Sequence, residues 1–203
     1  MFVQSVNFNK DIMKNNFITT SILLLSLVFF STSSFAQNDC LKIGDEHEGG
    51  IIFYIDETAE HGLIAAPQDE SVLAIYGCLG NTNPIADNSE IGAGESNTQA
   101  IVNYCQEEGI AARICYDLFL NGYSDWFLPS INELEMLYIN RIAVGGFDET
   151  EGSGYISSTE ARPAPAYYRS WVYDFGSPQI IPYTRKIVSQ KDNTFKIRAI
   201  RKF

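Results

Sequence analysis

The densest aromatic stretch of the sequence lies near its C-terminal end and has the residue types of a ligand-binding surface. Aromatic side chains stack on flat ligands or anchor protein interfaces, and arginine adds bidentate hydrogen bonds. In a β-strand, alternate residues share one face, which would align four of these side chains. The pattern predicts a ligand-binding face made by Tyr167, Arg169, Trp171 and Tyr173, with Arg162 nearby. Packing of some of these residues into the core is the alternative interpretation.

A second candidate is an acidic loop within the stretch GGFDETEGSG. It carries Asp148, Glu149 and Glu151 between glycines. Ca²⁺ takes six to eight oxygen ligands, and a flexible acidic loop supplies them well. The spacing is not that of an EF-hand, and a solvated acidic loop is the alternative. Ca²⁺ is the one cofactor that the sequence suggests.

The sequence contains no recognisable catalytic motif. The sequence has no G-x-S-x-G, H-E-x-x-H or phosphate-binding loop pattern. Its two histidines, His47 and His61, have no serine or cysteine partner in a recognisable motif. We therefore expect a protein that is not an enzyme. A polysaccharide-acting enzyme that uses paired carboxylates is the alternative, because acidic residues are plentiful.

The four cysteines are Cys40, Cys78, Cys105 and Cys115. An even number in an exported chain suggests two disulfides, and the sequence allows three pairings. Zinc binding is not expected, because the sequence has no C-x2-C pair and only two histidines. The cysteines are therefore interpreted as structural.

The N-terminal segment has the features of an export signal. Lys14 precedes the apolar run FITTSILLLSLVFF at residues 17–30, and Ser34-Phe35-Ala36 fits a small-x-small cleavage site. We interpret residues 1–36 as an extension and signal peptide, with translation starting at Met1 or Met13. An uncleaved anchor helix is the alternative, but the run is shorter than the about 20 residues that span a bilayer. The expected location is periplasmic, cell-surface or extracellular, with no stable membrane span after cleavage.

Composition and charge exclude several classes of protein. The chain has 203 residues, 45% hydrophobic and 13% aromatic, which is typical of a globular fold. Its net charge of −11 argues against a nucleic-acid binder. Residues 37–161 carry 22 acidic and 3 basic residues, whereas residues 162–203 carry 9 basic and 2 acidic ones. Either the basic C-terminal part pairs with the acidic part inside one fold, or it forms a basic ligand face.

The hydrophobic pattern predicts strands, then helices, then strands, which is an α+β fold. A hairpin is expected over 51–55 and 63–66, and helices over 97–106, 110–120 and 131–140, the first capped by Asn97 and the third by the capping box of Ser130 and Glu133. Later strands are expected over 155–158, 168–175, 184–188 and 195–200. Trp126 is expected in the core, Pro129 in a turn, and residues 37–203 in a single domain.

Several short sequence motifs together resemble those of a known family. They are GGIIFY at 49–54, GLIAAP at 62–67, IGAG at 91–94, DWFLPSINEL at 125–134, SSTE at 157–160 and RAIR at 198–201. This set resembles the domain-of-unknown-function family that forms the C-terminal domain of the bacterial collagen-like adhesin Lcl. The block around Trp126 is also similar to formylglycine-generating-enzyme-like domains, which have a C-type-lectin-like fold. Formylglycine-generating enzymes are oxidases, and that activity would need a reactive cysteine pair late in the chain. No cysteine follows Cys115 here, so the resemblance does not imply oxidase activity.

The resemblance implies a twisted antiparallel sheet with two to three helices and long loops. It also implies that residues 51–55 lie near residues 195–200, because the termini of such folds often pair. It implies an adhesion or binding module whose partner is a glycan or a protein at the cell surface. The adhesin family implies binding to sulfated polysaccharide, which favours a basic face, whereas this domain is acidic and has no collagen-like stalk. A structural subunit that oligomerises through the aromatic stretch is a further hypothesis.

Overall fold

The computed structural model describes residues 40–81, 86–162, 168–176 and 184–203. Its strands are β1 (Glu46–His47), β2 (Gly50–Ile55), β3 (Gly62–Ala65), β4 (Ser71–Ala74), β5 (Gly154–Glu160), β6 (Arg169–Asp174), β7 (Lys186–Gln190), β8 (Phe195–Ile197) and β9 (Ile200–Lys202). Its helices are α1 (Gly94–Tyr104), α2 (Ala111–Tyr116), α3 (Ile131–Ile139) and the single turn α4 (Arg141–Val144). This order of elements confirms the α+β class. Among the described residues, no helix has the length and apolar composition that crossing a bilayer requires.

The first sheet has the strand order β1-β2-β3-β9. The predicted hairpin is confirmed, because β2 and β3 pair antiparallel across a short turn. The C-terminal strand β9 then pairs antiparallel with β3, with Ile64 opposite Arg201. The expectation that residues 51–55 lie beside the last strand is therefore corrected. The hairpin does meet the C-terminus, but β3 makes that contact, and β2 lies one strand further away.

The second sheet has the order β4-β8-β5-β6-β7, and β5 and β8 run parallel. A single antiparallel sheet was expected, so two sheets and one parallel pair are a correction. The predicted strand over 195–200 is divided between them at Arg198. This side chain is fully buried and donates to the carboxylate of Asp69 at 2.9 Å and to the carbonyl of Ala66 at 3.0 Å. These bonds explain why the chain leaves one sheet here and joins the other.

Helix α3 begins where the capping box places it. Ser130 Oγ accepts a hydrogen bond from Glu133 N at 3.3 Å, and Glu133 Oε2 accepts one from Ser130 N at 2.7 Å. Helix α1 begins at Gly94, before the expected cap Asn97, whose buried Nδ2 donates to Asn88 O at 2.7 Å. That correction has a physical reason: the Asn97 amide serves a distant loop instead of the first turn of its own helix.

Helix α2 ends at Tyr116, four residues before the predicted end at Leu120. The chain then turns, and Leu120 forms a β-bridge with Tyr123. This tight turn takes Leu120 out of the helix. The apolar residues that suggested a longer helix include Phe119, which is exposed.

The core consists of two clusters of buried side chains. One contains Trp126 and Leu128 with side chains of α1 and α2, and the other contains Phe53, Tyr155 and Phe175 with side chains of α3. Trp126 therefore lies where it was expected. Pro129 lies in the link from Trp126 to α3, and its carbonyl accepts a hydrogen bond from Ser158 N at 2.8 Å.

All four cysteines lie in the described part of the chain, and one disulfide is formed there, between Cys78 and Cys105. Two were expected, so this is a correction. Cys115 is buried among apolar side chains and has a free thiol, and burial raises the pKa of that thiol well above its usual value. Cys40 is free and exposed. Neither of these two cysteines is bonded to another cysteine.

The basic C-terminal part pairs with the acidic remainder of the chain. Arg201 binds both carboxylate oxygens of Asp125 at 2.8 Å, and its guanidinium also contacts Glu48 at 3.0 Å. Further pairs join Lys202 to Glu95, Lys196 to Asp148, Lys191 to Glu160, Lys186 to Glu135 and Arg162 to Asp87. The first interpretation of the charge asymmetry is therefore confirmed, because basic residues of 162–203 pair with acidic residues of 37–161 within the fold.

Candidate functional site

A cleft of about 270 Å³ lies where β6 and β7 pass the beginning of α3. We call it the Trp171 cleft. Its lining is Asp87, Ser89, Ile131, Asn132, Thr159, Glu160, Arg162, Trp171 and Lys186. Two of the five residues predicted to bind ligand, Arg162 and Trp171, belong to it. It therefore combines an aromatic ring with several polar groups in one concave surface.

Trp171 reaches the cleft because of strand alternation in β6. Its neighbours Ser170 and Val172 are buried on the opposite face, while Trp171 is half-buried. On the adjacent strand it lies opposite Val188. The indole packs against the core cluster that contains Phe53 and Tyr155 while remaining partly exposed, so it combines a supported position with an accessible surface.

Helix α3 forms one wall of the cleft through Asn132. Its side-chain oxygen accepts a hydrogen bond from Lys186 Nζ at 2.7 Å, and the same ammonium contacts Glu135 Oε2 at 2.7 Å. The helix start and strand β7 are thus joined across the cleft. The amide nitrogen of Asn132 and the neighbouring ion pair present both donors and acceptors.

The loop at residues 86–90 forms another part of the cleft lining and is attached to the start of α3 and to β5. Ser130 Oγ donates to Ser89 O at 3.2 Å and is 2.9 Å from Glu90 O, while Asn132 N donates to Ser89 O at 3.2 Å. Thr159 Oγ1 donates to Asn88 O at 3.2 Å. These bonds hold the backbone of the loop, and so hold the Asp87 and Ser89 side chains in the cleft.

A buried carboxylate behind this wall fixes its position. Glu133 Oε1 accepts a hydrogen bond from Gly92 N at 2.7 Å, in addition to the capping bond from Ser130 N. Burial raises the pKa of Glu133, and the backbone hydrogen bonds oppose that rise. Glu133 also leaves no room at Gly94, where an added Cβ would lie 2.3 Å from its Oε2. One residue therefore caps α3 and secures the loop that leads into α1.

The charged groups of the cleft are paired. Arg162 Nη1 lies 3.2 Å from Asp87 Oδ2, and both side chains are about two-fifths exposed at the rim. Glu160 is buried and contacts Lys191 Nζ at 2.5 Å. Both carboxylates are thus paired with a cation, whereas a glycosidase needs one protonated carboxylic acid and one free carboxylate. The cleft presents charge-assisted hydrogen-bonding groups and lacks an evident general acid and nucleophile among its described residues.

The remaining predicted ligand residues are not gathered into the cleft. Arg169 is exposed on β6, and alternation puts it on the Trp171 face, beyond the cleft lining. Tyr173 is buried against Tyr138 and Phe175, so its place on the predicted ligand face is corrected: the packing of α3 covers that end of the strand. Tyr167 lies outside the described residues.

Sequence reasoning missed Asp87, Ser89 and Asn132. They come from a Gly/Asn/Asp-rich loop and from the first turn of a helix, far from β6 in the chain. The one available signal was the capping box, because the start of a helix exposes polar groups. Nothing in the local sequence indicated that this helix start would meet Trp171.

The acidic loop proposed for Ca²⁺ has its first two carboxylates engaged. Asp148 binds Thr150 Oγ1 at 2.6 Å and pairs with Lys196 at 3.1 Å, which holds the pKa of Asp148 well below its usual value. Glu149 pairs with Arg141 at 2.9 Å, and Glu151 is exposed. The geometry explains the loop without an ion, and Ca²⁺ binding stays a prediction.

One group of potential metal ligands occurs in the described part of the chain, and it consists of Cys78, Cys105 and Glu107. Its two sulfur atoms are joined in the disulfide, so they are not thiolate ligands.

Comparison with known proteins finds similarity among solved structures but none among protein families or curated proteins. No family model matches the chain, and no curated protein matches it. Among solved structures, it is similar to a fimbrial protein from Bacteroides ovatus ATCC 8483, with 13% identity and a TM-score of 0.49. The similarity covers 80% of this chain and 45% of that chain, so this chain spans less than half of that protein's length. The resemblance to the Lcl C-terminal domain stays an interpretation that rests on the sequence motifs alone.

Proposed function

We propose that the protein is an exported bacterial binding module, at the cell surface or in the periplasm, and that it holds a glycan in the Trp171 cleft. The observation that carries the proposal is the half-buried indole of Trp171 beside hydrogen-bonding side chains from three separate elements. A sugar ring presents an apolar C–H face and a rim of hydroxyl groups. An aromatic ring suits the face, and paired polar side chains suit the rim.

The polar groups of the cleft fit hydroxyl groups better than a lone ion. The Arg162–Asp87 pair offers donors and an acceptor 3.2 Å apart, and Asn132 and Lys186 offer another set across the cleft. Because these charges are already neutralised by each other, a neutral polar ligand can bind without leaving one of them unpaired. The loop bonds described above keep the cleft in shape before a ligand arrives, which lowers the entropic cost of binding.

An enzymatic role is the alternative that we do not favour. A glycosidase needs one carboxylic acid and one free carboxylate on either side of the sugar. In the cleft, Asp87 is ion-paired with Arg162 and Glu160 with Lys191. We therefore propose binding without turnover.

The test is a glycan array probed with the full chain, expressed with export so that its disulfide forms. Trp171→Ala is expected to abolish binding, because it removes the ring face without touching the ion pairs. Asp87→Asn is expected to weaken binding by roughly tenfold, the value of one hydrogen bond to a charged group.

The matched control is Phe119→Ala, which removes an aromatic ring that is 73% exposed and lies outside the cleft. It should bind like the unmodified chain. A chain that binds no glycan, or a Trp171→Ala variant that binds as well as the Phe119→Ala variant, would overturn the proposal. Release of reducing sugar from a bound polysaccharide would favour the enzymatic alternative.

A further inference from the structure

The two sheets have four terminal strands, and they differ in how open they are to another strand. Strand β1 is two residues long and carries Glu46, and β9 is covered where Phe127 N donates to Ile200 O at 2.8 Å. The backbone just after β4 is already engaged by the start of α2, because Ile75 O accepts a hydrogen bond from Ala111 N at 2.9 Å. Strand β7 is five residues long and is the last strand of its sheet in the described part of the chain.

The side chains of β7 are unusual for such a position. Ile187 and Val188 are each 41% exposed, although they are branched apolar residues. Edge strands are normally protected by proline, a bulge or an unpaired charge. Strand β7 has no proline, pairs with β6 in an unbroken register, and its single charge is neutralised because Lys186 contacts Glu135.

The register shows which backbone groups face outwards. Lys191 N donates to Tyr168 O, and Asp174 N donates to Arg185 O. In an antiparallel ladder the bonded residues alternate, so residues 185, 187, 189 and 191 face β6. The N–H and C=O of Val188, at the middle of the strand, therefore point away from β6, in the plane of the sheet and towards its outer edge.

We infer that β7 pairs antiparallel with β7 of a second copy of this chain, about a two-fold axis at Val188. The sequence KIVSQ is self-complementary in that register. Val188 lies opposite the partner's Val188, and Lys186 lies opposite the partner's Gln190, so no like charges face each other within the strand. Just beyond it, the basic residue Arg185 lies opposite the partner's Lys191, but each is bound within its own chain: Lys191 is buried against Glu160, and Arg185 donates to Asp174 O at 3.1 Å. Residues 184–191 contain no acidic residue, whereas the whole chain has a net charge of −11. Two copies therefore meet with less repulsion here than at an acidic edge such as β1.

The pairing has a consequence for the proposed glycan site, on which this part of the inference rests. Val188 lies opposite Trp171 within one chain, so both share a face of the sheet. A two-fold axis perpendicular to the sheet keeps that face common to both copies. The two Trp171 residues would lie three strand spacings apart, about 14 Å. One extended polymer could then contact both clefts, which raises avidity without a new contact.

The decisive test is cysteine cross-linking of the full, exported chain with Cys40→Ser, which removes the exposed thiol. Val188→Cys places two thiols directly opposite each other, about 5 Å apart at Cβ, and should form a covalent dimer under mild oxidation. Ile187→Cys is the matched control, with the same 41% exposure. In the inferred register its two copies lie diagonally, about 7–8 Å apart, and several-fold less dimer is expected.

Sedimentation without glycan provides the second measurement. The unmodified chain should sediment as a dimer, and Val188→Lys as a monomer, since it sets two like charges opposite each other. Ile142→Lys changes an apolar residue that is 79% exposed on α4, and it should remain dimeric. A monomeric chain at every soluble concentration, or equal cross-linking of the two cysteine variants, would overturn the inference. A dimer that binds no glycan would instead overturn the proposed function alone.

Discussion

Strands β5 and β7 belong to the same sheet, yet their burial is the reverse of what their composition suggests. Strand β5 ends in the polar run Ser-Ser-Thr-Glu, and all seven of its residues are buried. Strand β7 contains the apolar residues Ile187 and Val188, each of which is 41% exposed. The sheet order explains this, because β5 lies between β8 and β6 while β7 lies at the end. For these two strands, position in the sheet determines solvent exposure more than the hydrophobicity of the side chains does.

The polar residues of β5 stay buried because each has a partner on another element. Ser157 Oγ donates to Trp171 O at 2.8 Å, and Thr159 Oγ1 donates to Asn88 O at 3.2 Å. Glu160 pairs with Lys191. These partners include β6 and the loop that forms the Trp171 cleft. The buried polar strand therefore holds the cleft together, while the exposed apolar strand remains available for a partner.

The largest expected effect comes from breaking the buried ion pair at the end of β5. Glu160→Leu leaves the Lys191 ammonium buried without its carboxylate, and both side chains are 1% exposed in the native fold. We expect the free energy of unfolding to fall by about 3–5 kcal/mol. Chemical denaturation measures it.

The control is the double variant Glu160→Leu with Lys191→Met, which removes both charges. It should recover most of the lost stability, because no uncompensated charge remains. If the double variant were as unstable as the single one, packing and not charge would explain the loss.

The contrast between β5 and β7 also shows which features of the fold the sequence predicts. The hairpin, the start of α3 and the positions of β6 and β7 depend on local signals, namely apolar runs, turn residues and a capping box. These were predicted to within a few residues. Strand β5 was predicted to stop at Ser158, but it continues through Thr159 and Glu160. Both residues are polar, and the partners that bury them, in the loop at 86–90 and at Lys191, are far away in sequence.

The candidate site was predicted in the same partial way. Trp171 and Arg162 stand out by residue type, so composition was enough to select them. Asp87 and Asn132 reach the cleft only through long-range packing of a loop and a helix start. Tyr173 was selected by the same alternation as Trp171, but whether α3 covers it depends on the tertiary fold. Alternation identifies a face, and packing decides how much of that face stays open.

A medium-sized effect is expected from making β5 more hydrophobic. Thr159→Val keeps the shape of the side chain but removes a hydroxyl that donates to Asn88 O and accepts from Ile131 N. One buried backbone group, Ile131 N, loses its partner, whereas Asn88 O still accepts a hydrogen bond from Asn97 Nδ2. We expect a loss of about 1–3 kcal/mol in the free energy of unfolding. Thr159→Ser, which retains the hydroxyl, should lose less. A stabilised Thr159→Val variant would contradict the view that these bonds hold the strand.

A smaller effect is expected at alkaline pH from Tyr155, also in β5. Burial, together with the neighbouring Asp69 charge, raises the pKa of Tyr155 well above its usual 10. In the unfolded chain the phenol ionises first, so the free energy of unfolding should fall as pH rises past about 10. Tyr155→Phe lacks this contribution and should lose less stability between pH 9 and 11. Because burial also raises the pKa of Tyr76 and Tyr173, some dependence should remain. Identical pH profiles would show that Tyr155 ionises equally in both states.

The smallest effect is expected from the reverse substitution in β7. Val188→Thr exchanges the same two residue types as Thr159→Val, but at an exposed position on the sheet edge. The new hydroxyl can bind water, so no buried group is left without a partner. The change in the free energy of unfolding should stay within about 0.5 kcal/mol, measured at a concentration low enough to keep the chain monomeric. Because the two variants exchange the same pair of residue types, a difference between them reports the effect of position in the sheet and not of side-chain chemistry. If Val188→Thr cost as much as Thr159→Val, β7 would be covered in the folded chain, and an edge open to a second copy would no longer be available.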